Sequence, residues 1–118
     1  SIQMNIQELA TAASEKLPVK IFILNNSCLG MVRQWQELFY ERRYACTLLD
    51  VAPDFEKLAE AYGAYGRRVE KIEELDEAIE WALNINDSPV IVDIKVNREE
   101  NVFPMIPAGG SIDKMLID

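Results

Sequence analysis

The feature that most constrains this chain is a short apolar run that stops abruptly in polar residues. Residues 19–24 are almost all apolar, Pro18 precedes them, and Asn25-Asn26-Ser27 follows. Such a run predicts a strand covered on both faces, as in a parallel sheet between helices. Because ligands of open α/β sheets bind at the carboxyl ends of strands, the polar turn before a helix from Gly30 predicts a seat for a phosphate or a metal-bound anion.

The rest of the chain alternates helical and strand patterns, which predicts an α/β fold with a partial parallel sheet. Helices are expected over 5–17, capped by Asn5 with Glu8, from Gly30 to about 40, over 53–62 and over 73–86. A short strand is expected over 67–70 and a buried one over 90–96. Residues 101–110 contain two prolines and two glycines, so the tail is predicted to be irregular.

Composition limits the classes of function. A chain of 118 residues forms one domain at most, and its net charge of −8 argues against a nucleic-acid partner. The same charge means that a bound diphosphate would need a divalent cation and backbone amides to offset repulsion. No apolar run approaches the ~20 residues of a membrane span, so no membrane partner is expected.

The absence of histidine and the spacing of the two cysteines also limit the possible catalytic and redox chemistry. Histidine is absent, which excludes imidazole bases and Ser/His or Cys/His schemes within this chain. Cys28 and Cys46 lack the spacing of a zinc or redox pair, so two reduced thiols and a cytoplasmic setting are expected.

Several strings resemble one enzyme family. QMNIQELATA at 3–12, LPVKIFILNN at 17–26, LGMVRQWQELFY at 29–40 and FPMIPAGG at 103–110 are similar to the large catalytic subunit of acetolactate synthases. These enzymes use thiamine diphosphate, and their cofactor motif opens with Gly-Asp-Gly and closes with Asn-Asn. The triplet would immediately precede Ser1, so the resemblance implies a fragment that starts inside the motif. It implies a three-layer diphosphate-binding domain truncated at its N-terminus (1–97) and a tail over the substrate channel (98–118).

The resemblance also assigns residues. It implies a Mg²⁺ held by the Asn26 side chain and the Cys28 main-chain carbonyl, with the carboxylate supplied by the missing Asp. Cofactor contacts are implied at Ser1, Asn26, Cys28, Leu29, Gly30 and Met31. Substrate contacts are implied at Trp35, which would favour 2-ketobutyrate as the second keto acid, and at Ala108. By helical spacing alone, Met31, Trp35, Leu38 and Phe39 form one face that would pack in a core, and Leu38 and Phe39 keep that interpretation.

No catalytic residue is expected within the chain, since the activating glutamate of the family lies in another domain. The implied parent condenses pyruvate with pyruvate or 2-ketobutyrate in branched-chain amino acid biosynthesis. It would carry FAD elsewhere and form a homodimer or homotetramer, with or without a regulatory small subunit. It would be cytoplasmic, or plastid or mitochondrial in a eukaryote. The isolated chain is expected to be inactive. The alternatives are another thiamine-dependent keto-acid enzyme (pyruvate oxidase or decarboxylase) and a non-catalytic α/β binding module.

Overall fold

The computed structural model describes residues 2–117. Its helices and strands are, in chain order, α1 (Glu8–Ser14), β1 (Lys20–Asn25), α2 (Gly30–Phe39), α3 (Phe55–Ala61), β2 (Tyr65–Val69), α4 (Leu75–Asn84) and β3 (Val90–Lys95). Short 3₁₀ turns lie at Ile2–Met4, Ile72–Glu74 and Ile112–Lys114. The chain divides into two compact units. The first comprises residues 2–26 and 51–96, and the second 27–50 and 97–117.

The first unit is built on a three-stranded parallel sheet in the order β1-β3-β2. Strand β3 is central, with Val90 opposite Lys20 of β1 and opposite Tyr65 of β2. Parallel strands need their faces covered by helices, and both faces of β3 are covered. The predicted layered α/β fold with parallel strands is confirmed.

Alternation along β3 divides the core into two layers. Ile91 packs with Leu9 of α1 and with Phe55 and Ala59 of α3 on one face of the sheet. Val90 and Val92 point to the opposite face, where they pack with Ala78 and Ala82 of α4, among others. The small alanines let the α4 backbone lie close to the strands.

Helix α3 has the boundaries that its sequence indicates. Asp54 caps its start, and its side chain accepts hydrogen bonds from the amides of Glu56 and Lys57 at 3.1 and 3.2 Å. Gly63 follows the last turn with a φ of 74°, a left-handed conformation that glycine adopts at little cost.

Strand β1 differs from its prediction. Only the face that carries Ile21 and Ile23 packs into a core layer. Phe22 and Leu24, on the other face, are exposed. The reason is position: β1 lies at the edge of the described sheet, and α4 packs on β2 and β3. The strand buried on both faces within this chain is β3.

The predicted capping box at Asn5 is wrong. The N-cap position of α1 belongs to Gln7, which has φ −61° and ψ −25° and makes no side-chain capping hydrogen bond. The helix proper begins only at Glu8. Leu17 lies beyond its end and is exposed.

Helix α4 is also shorter than predicted. A 3₁₀ turn occupies residues 72–74, and the helix ends at Asn84 where residue 86 was predicted.

The second unit contains α2 and the tail. Residues 97–117 contain only one 3₁₀ turn, and an isolated antiparallel bridge joins Met105 to Leu116. The predicted irregularity of the tail is therefore confirmed. Among residues 2–117, no helix has the length and apolar content to traverse a lipid bilayer.

Candidate cofactor site

The polar turn after β1 begins at the carboxyl end of the sheet, where the last residue of the strand is hydrogen-bonded to the segment after β3. Asn25, the last residue of β1, is buried, and its carbonyl accepts from the Val96 amide at 3.2 Å. Asn26 follows directly and is half-buried. Ser27 has a φ of 55°, a left-handed conformation that is uncommon for a residue with a side chain.

Beyond Ser27 the backbone is held by a short antiparallel pairing inside the second unit. The Leu49 amide donates to the Ser27 carbonyl at 2.9 Å, and the Leu29 amide donates to the Thr47 carbonyl at 2.8 Å. These bonds flank Cys28, which bridges to Leu48 and whose side chain is buried. Helix α2 then starts at Gly30. The residues expected to contact a cofactor, from Cys28 to Met31, therefore lie in a backbone that this pairing and the helix hold in place.

Helix α2 presents its apolar side outward. Met31, Trp35, Leu38 and Phe39 are all exposed, Trp35 by 40%. The Trp35 and Phe39 rings meet edge to face, with centroids 6.3 Å apart. Together with Val32 and Tyr40, Trp35 lines an open hollow of about 390 Å³. The expectation that Leu38 and Phe39 pack in a core is therefore wrong for this chain.

The buried side of α2 is instead polar. Arg33 is 1% exposed, and its guanidinium contacts Glu37 at 2.6 Å, the Glu99 carboxylate at 3.7 Å and the side chain of Asn101. Burial lowers the pKa of Arg33, but the hydrogen bond and charge of Glu37 outweigh it, so this pKa lies above its ordinary value. The hydrogen bond from Arg33 in turn lowers the pKa of Glu37.

Gln34 ties the same helix to the tail through paired hydrogen bonds. Its Nε2 donates to the Val102 carbonyl, and its Oε1 accepts from the Val102 amide, both at 2.9 Å. A backbone segment bound in this two-point manner is fixed in direction as well as position. Arg33 and Gln34 together attach residues 99–102 to α2.

Ala108 lies further along the tail, at the tip of a tight turn. The Gly110 amide donates to the Pro107 carbonyl at 2.8 Å, and Gly109 has a φ of 76°. A positive φ at the third of four turn residues is typical of a type II turn. Ala108, the second residue of this turn, is exposed.

The donors at the asparagine turn have the chemistry that Mg²⁺ accepts. An asparagine amide and a main-chain carbonyl are neutral hard oxygen ligands, and magnesium completes its octahedron with phosphate oxygens, waters and one or two carboxylates. Within residues 2–117, no three His, Cys, Asp or Glu side chains group to hold a metal. The oxygen atoms of the turn are thus of the kind that Mg²⁺ binds.

Comparison with known proteins decides the family. The family described as "Thiamine pyrophosphate enzyme, C-terminal TPP binding domain" matches residues 1–94. The chain belongs to this family. A solved thiamine diphosphate-dependent 4-hydroxybenzoylformate decarboxylase from Rhodococcus jostii RHA1 has a TM-score of 0.75 and 31% identity. That match covers 85% of this chain and 19% of the decarboxylase, and it confirms the fold of a thiamine pyrophosphate enzyme domain.

Curated relatives of this thiamine pyrophosphate enzyme domain are acetolactate synthases. The Haemophilus influenzae large subunit is 46% identical over 99% of this chain and 20% of its own length. Isozyme 2 of Escherichia coli is 42% identical over 98% and 21%, and the Mycobacterium tuberculosis large subunit 50% identical over 96% and 19%. The predicted resemblance to acetolactate synthase large subunits is thus confirmed, and the chain spans about a fifth of the length of these relatives.

The predicted site residues are distributed over both units. Asn26 ends a segment of the first unit, while Cys28, Leu29, Gly30 and Met31 lie in the second, as do Trp35 on α2 and Ala108 on the tail turn; Ser1 lies outside the described residues. Their contacts with cofactor or substrate remain predictions, as does the division into a domain over 1–97 and a tail over 98–118.

The sequence patterns did not indicate the polar residues that bind the tail to α2 or β1 to β3. Arg33 and Gln34 lay on the helix face opposite the apolar stripe, and Asp93 lay inside an apolar strand. A polar side chain within a buried strand is the one signal that could have drawn attention to Asp93.

Proposed function

We propose that this chain is the part of an acetolactate synthase that binds the magnesium diphosphate of thiamine diphosphate. The observation that carries the proposal is the Asn25-Asn26 turn at the carboxyl end of β1, within a segment that matches the family. Identities of 42–50% with acetolactate synthases, against 31% with a decarboxylase, support this branch.

In this proposal each element of the turn has one task. The Asn26 amide oxygen and the Cys28 main-chain carbonyl hold Mg²⁺, and the ion offsets the repulsion between the diphosphate and a protein of net charge −8. The amides of Gly30 and Met31, at the start of α2, face the negative charge of the diphosphate, because the first turn of a helix has unpaired donors. Leu29, whose amide donates to the Thr47 carbonyl, would contact the cofactor through its other atoms. Ser1 would contribute to the same cradle.

Trp35 and Ala108 are proposed as walls of the substrate site. An indole is a large, rigid surface that discriminates by size, and Trp35 is exposed beside an open hollow. The second keto acid would be pyruvate or 2-ketobutyrate, which differ by one methylene. Size selection by an apolar wall is worth about 1–3 kcal/mol per methylene, so the preference would be finite.

Thiamine diphosphate, when bound, supplies the carbanion chemistry, and the protein orients and shields it. This chain contributes no proton-transfer residue to the proposed reaction, so by itself it is expected to be inactive. FAD, a homodimeric or homotetrameric state, a regulatory small subunit and a place in branched-chain amino acid biosynthesis belong to the proposal for the whole protein, as does a cytoplasmic location.

The test uses the full-length protein with Asn26→Ala and a matched Asn86→Ala, which removes an exposed asparagine from a loop. Equilibrium dialysis at a series of Mg²⁺ concentrations measures how much thiamine diphosphate the protein retains. Acetolactate formation from pyruvate measures activity. Asn26→Ala should abolish Mg²⁺-dependent retention, and Asn86→Ala should match wild type.

Two results would contradict the proposal. Retention unaffected by Asn26→Ala would remove the metal role of the turn. Wild-type turnover of pyruvate to acetaldehyde or acetate without acetolactate would favour a decarboxylase or pyruvate oxidase instead.

A further inference from the structure

Asp93 is a buried carboxylate that none of the roles above uses. It lies on the central strand β3, is 0% exposed, and has apolar neighbours Val92 and Ile94 in sequence. Removing a carboxylate from water is expensive, and replacing a buried ion pair by apolar residues is often neutral or stabilising. Stability alone is therefore a weak reason for an acid at this position.

Both oxygens of Asp93 have named partners on the neighbouring strands. Oδ1 accepts from Asn25 Nδ2 at 2.7 Å, and Oδ2 accepts from Arg68 Nε at 3.3 Å. Arg68 also lies 3.3 Å from Asp54, which caps α3. The carboxylate thus ties β1 to β3 at the carboxyl end of the sheet, while Arg68 ties the same point to β2 and α3.

The tie to β1 acts on the residue directly before Asn26. The Asn25 side chain is committed to Asp93, and its main-chain carbonyl is bonded to Val96, so the last residue of the edge strand is fixed at two points. Ser27, one residue after Asn26, holds a left-handed φ. A single half-buried amide between two constrained residues has little freedom to change direction.

We propose that Asp93 is a positioning residue for the asparagine turn, acting through Asn25 to orient Asn26 toward a Mg²⁺-bound diphosphate. This inference rests on the proposed function and adds to it the residue pair that sets metal affinity. Groups that orient metal ligands typically change metal affinity by about 10–100-fold when they are removed.

The experiment measures, in the full-length protein, the Mg²⁺ concentration for half-maximal retention of thiamine diphosphate by equilibrium dialysis. The variants are Asn25→Ala and Asp93→Asn, and the thermal midpoint of the cofactor-free protein is recorded for each. Asn25→Ala should raise the Mg²⁺ requirement about tenfold or more. Asp93→Asn should raise it less than Asn25→Ala, because an amide oxygen can still accept from Asn25.

Arg67→Gln is the matched control. Arg67 precedes Arg68 on β2, pairs with Glu77 at 3.0 Å and lies over the Trp81 ring at 5.8 Å, on the face away from Asn25. Its loss should lower the thermal midpoint and leave the Mg²⁺ requirement unchanged. This control therefore distinguishes an effect on the orientation of Asn26 from an effect of general destabilisation.

An unchanged Mg²⁺ requirement in both Asn25→Ala and Asp93→Asn overturns the inference, and so does an equal rise in Arg67→Gln. If Asn26→Ala abolishes retention in the same series, the proposed function stands and only the positioning role fails. If retention is indifferent to Asn26→Ala, the proposed function fails and the positioning role fails with it.

Discussion

Trp35 is the residue whose exposure is most at odds with its chemistry. An indole that is 40% exposed and meets the Phe39 ring at a near-perpendicular angle contributes little to the core of its own unit. Large apolar side chains that remain exposed often mark a binding surface. The position of Trp35 on α2 therefore supports a role in contact with a ligand over a role in packing.

We expect Trp35→Leu in the full-length protein to reduce selectivity for 2-ketobutyrate over pyruvate by about tenfold, because a smaller, flexible wall discriminates one methylene poorly. Competition between the two keto acids, followed by product ratio, measures this. Phe39→Leu is the control, since it removes the ring contact and leaves the indole. Equal ratios in wild type and Trp35→Leu would remove Trp35 from the substrate site.

Glu37 makes the second unit sensitive to acid. Its pKa is lowered in the folded state, chiefly by the hydrogen bond from Arg33, so its stabilising effect is present above the unfolded pKa and is lost as pH falls through the folded value. We expect the loss to begin as pH falls below the ordinary value of 4.5. Urea unfolding of wild type and Glu37→Gln between pH 6 and 3 measures the free energy of unfolding of each protein. The two free energies should converge at low pH. A difference that stays constant with pH would contradict a stabilising role for the Glu37 carboxylate.

At the level of elements, α2 has its apolar and polar faces reversed relative to an ordinary surface helix. The exposed side carries the aromatic residues, and the buried side carries Arg33 and Gln34, which bind the tail. A helix in a globular core normally buries its apolar stripe. The reversal means that polar contacts, which are directional, determine where the tail lies along α2.

We therefore expect Arg33→Met to release residues 99–106 from α2. Hydrogen bonds to charged groups are worth about 1.5–3 kcal/mol each, so loss of one raises the open population about tenfold or more. Proteinase K cleavage within residues 99–106, timed by mass spectrometry, reports that population when opening is fast relative to cleavage.

Arg42→Gln is the control for this experiment. Arg42 pairs with the same Glu37 at 3.4 Å, but its side chain is 73% exposed, and exposed pairs are worth about 0–1 kcal/mol. Its cleavage rate should stay near that of wild type. Equal protection of the tail in Arg33→Met would show that Arg33 does not hold it.

At the level of the whole molecule, the first unit leaves an apolar edge uncovered. Leu24 on β1 is 70% exposed beside Phe22, and β1 pairs on one side only with β3 in the described sheet. Edge strands with exposed apolar side chains favour pairing with another chain. The net charge of −8 opposes such association.

We expect the 118-residue chain to self-associate through β1, more strongly at high salt, where like-charge repulsion is screened. Leu24→Lys should shift sedimentation-velocity profiles toward monomer. Leu83→Lys alters an exposed leucine on α4 and should leave the profile unchanged. Equal effects of the two substitutions would place the contact elsewhere than β1.

Local patterns in the sequence determined the order of strands and helices, the Asp54–Gly63 limits of α3, the polar turn after β1 and the irregular tail. These features depend on neighbours a few residues apart, and each has a local physical cause, such as a capping side chain or a glycine with positive φ. The family strings added the cofactor, which periodicity alone leaves open.

Only the tertiary structure decided which strand is central, which face of α2 is buried and what Asp93 contacts. Asn25 and Asp93 are 68 residues apart in the chain, as are Gln34 and Val102. Periodicity describes how one segment divides its own side chains between two faces, but it carries no information about which distant segment covers each face. That choice depends on the packing of the assembled chain, so the apolar stripe of α2 could be recognised from sequence while its exposure could not.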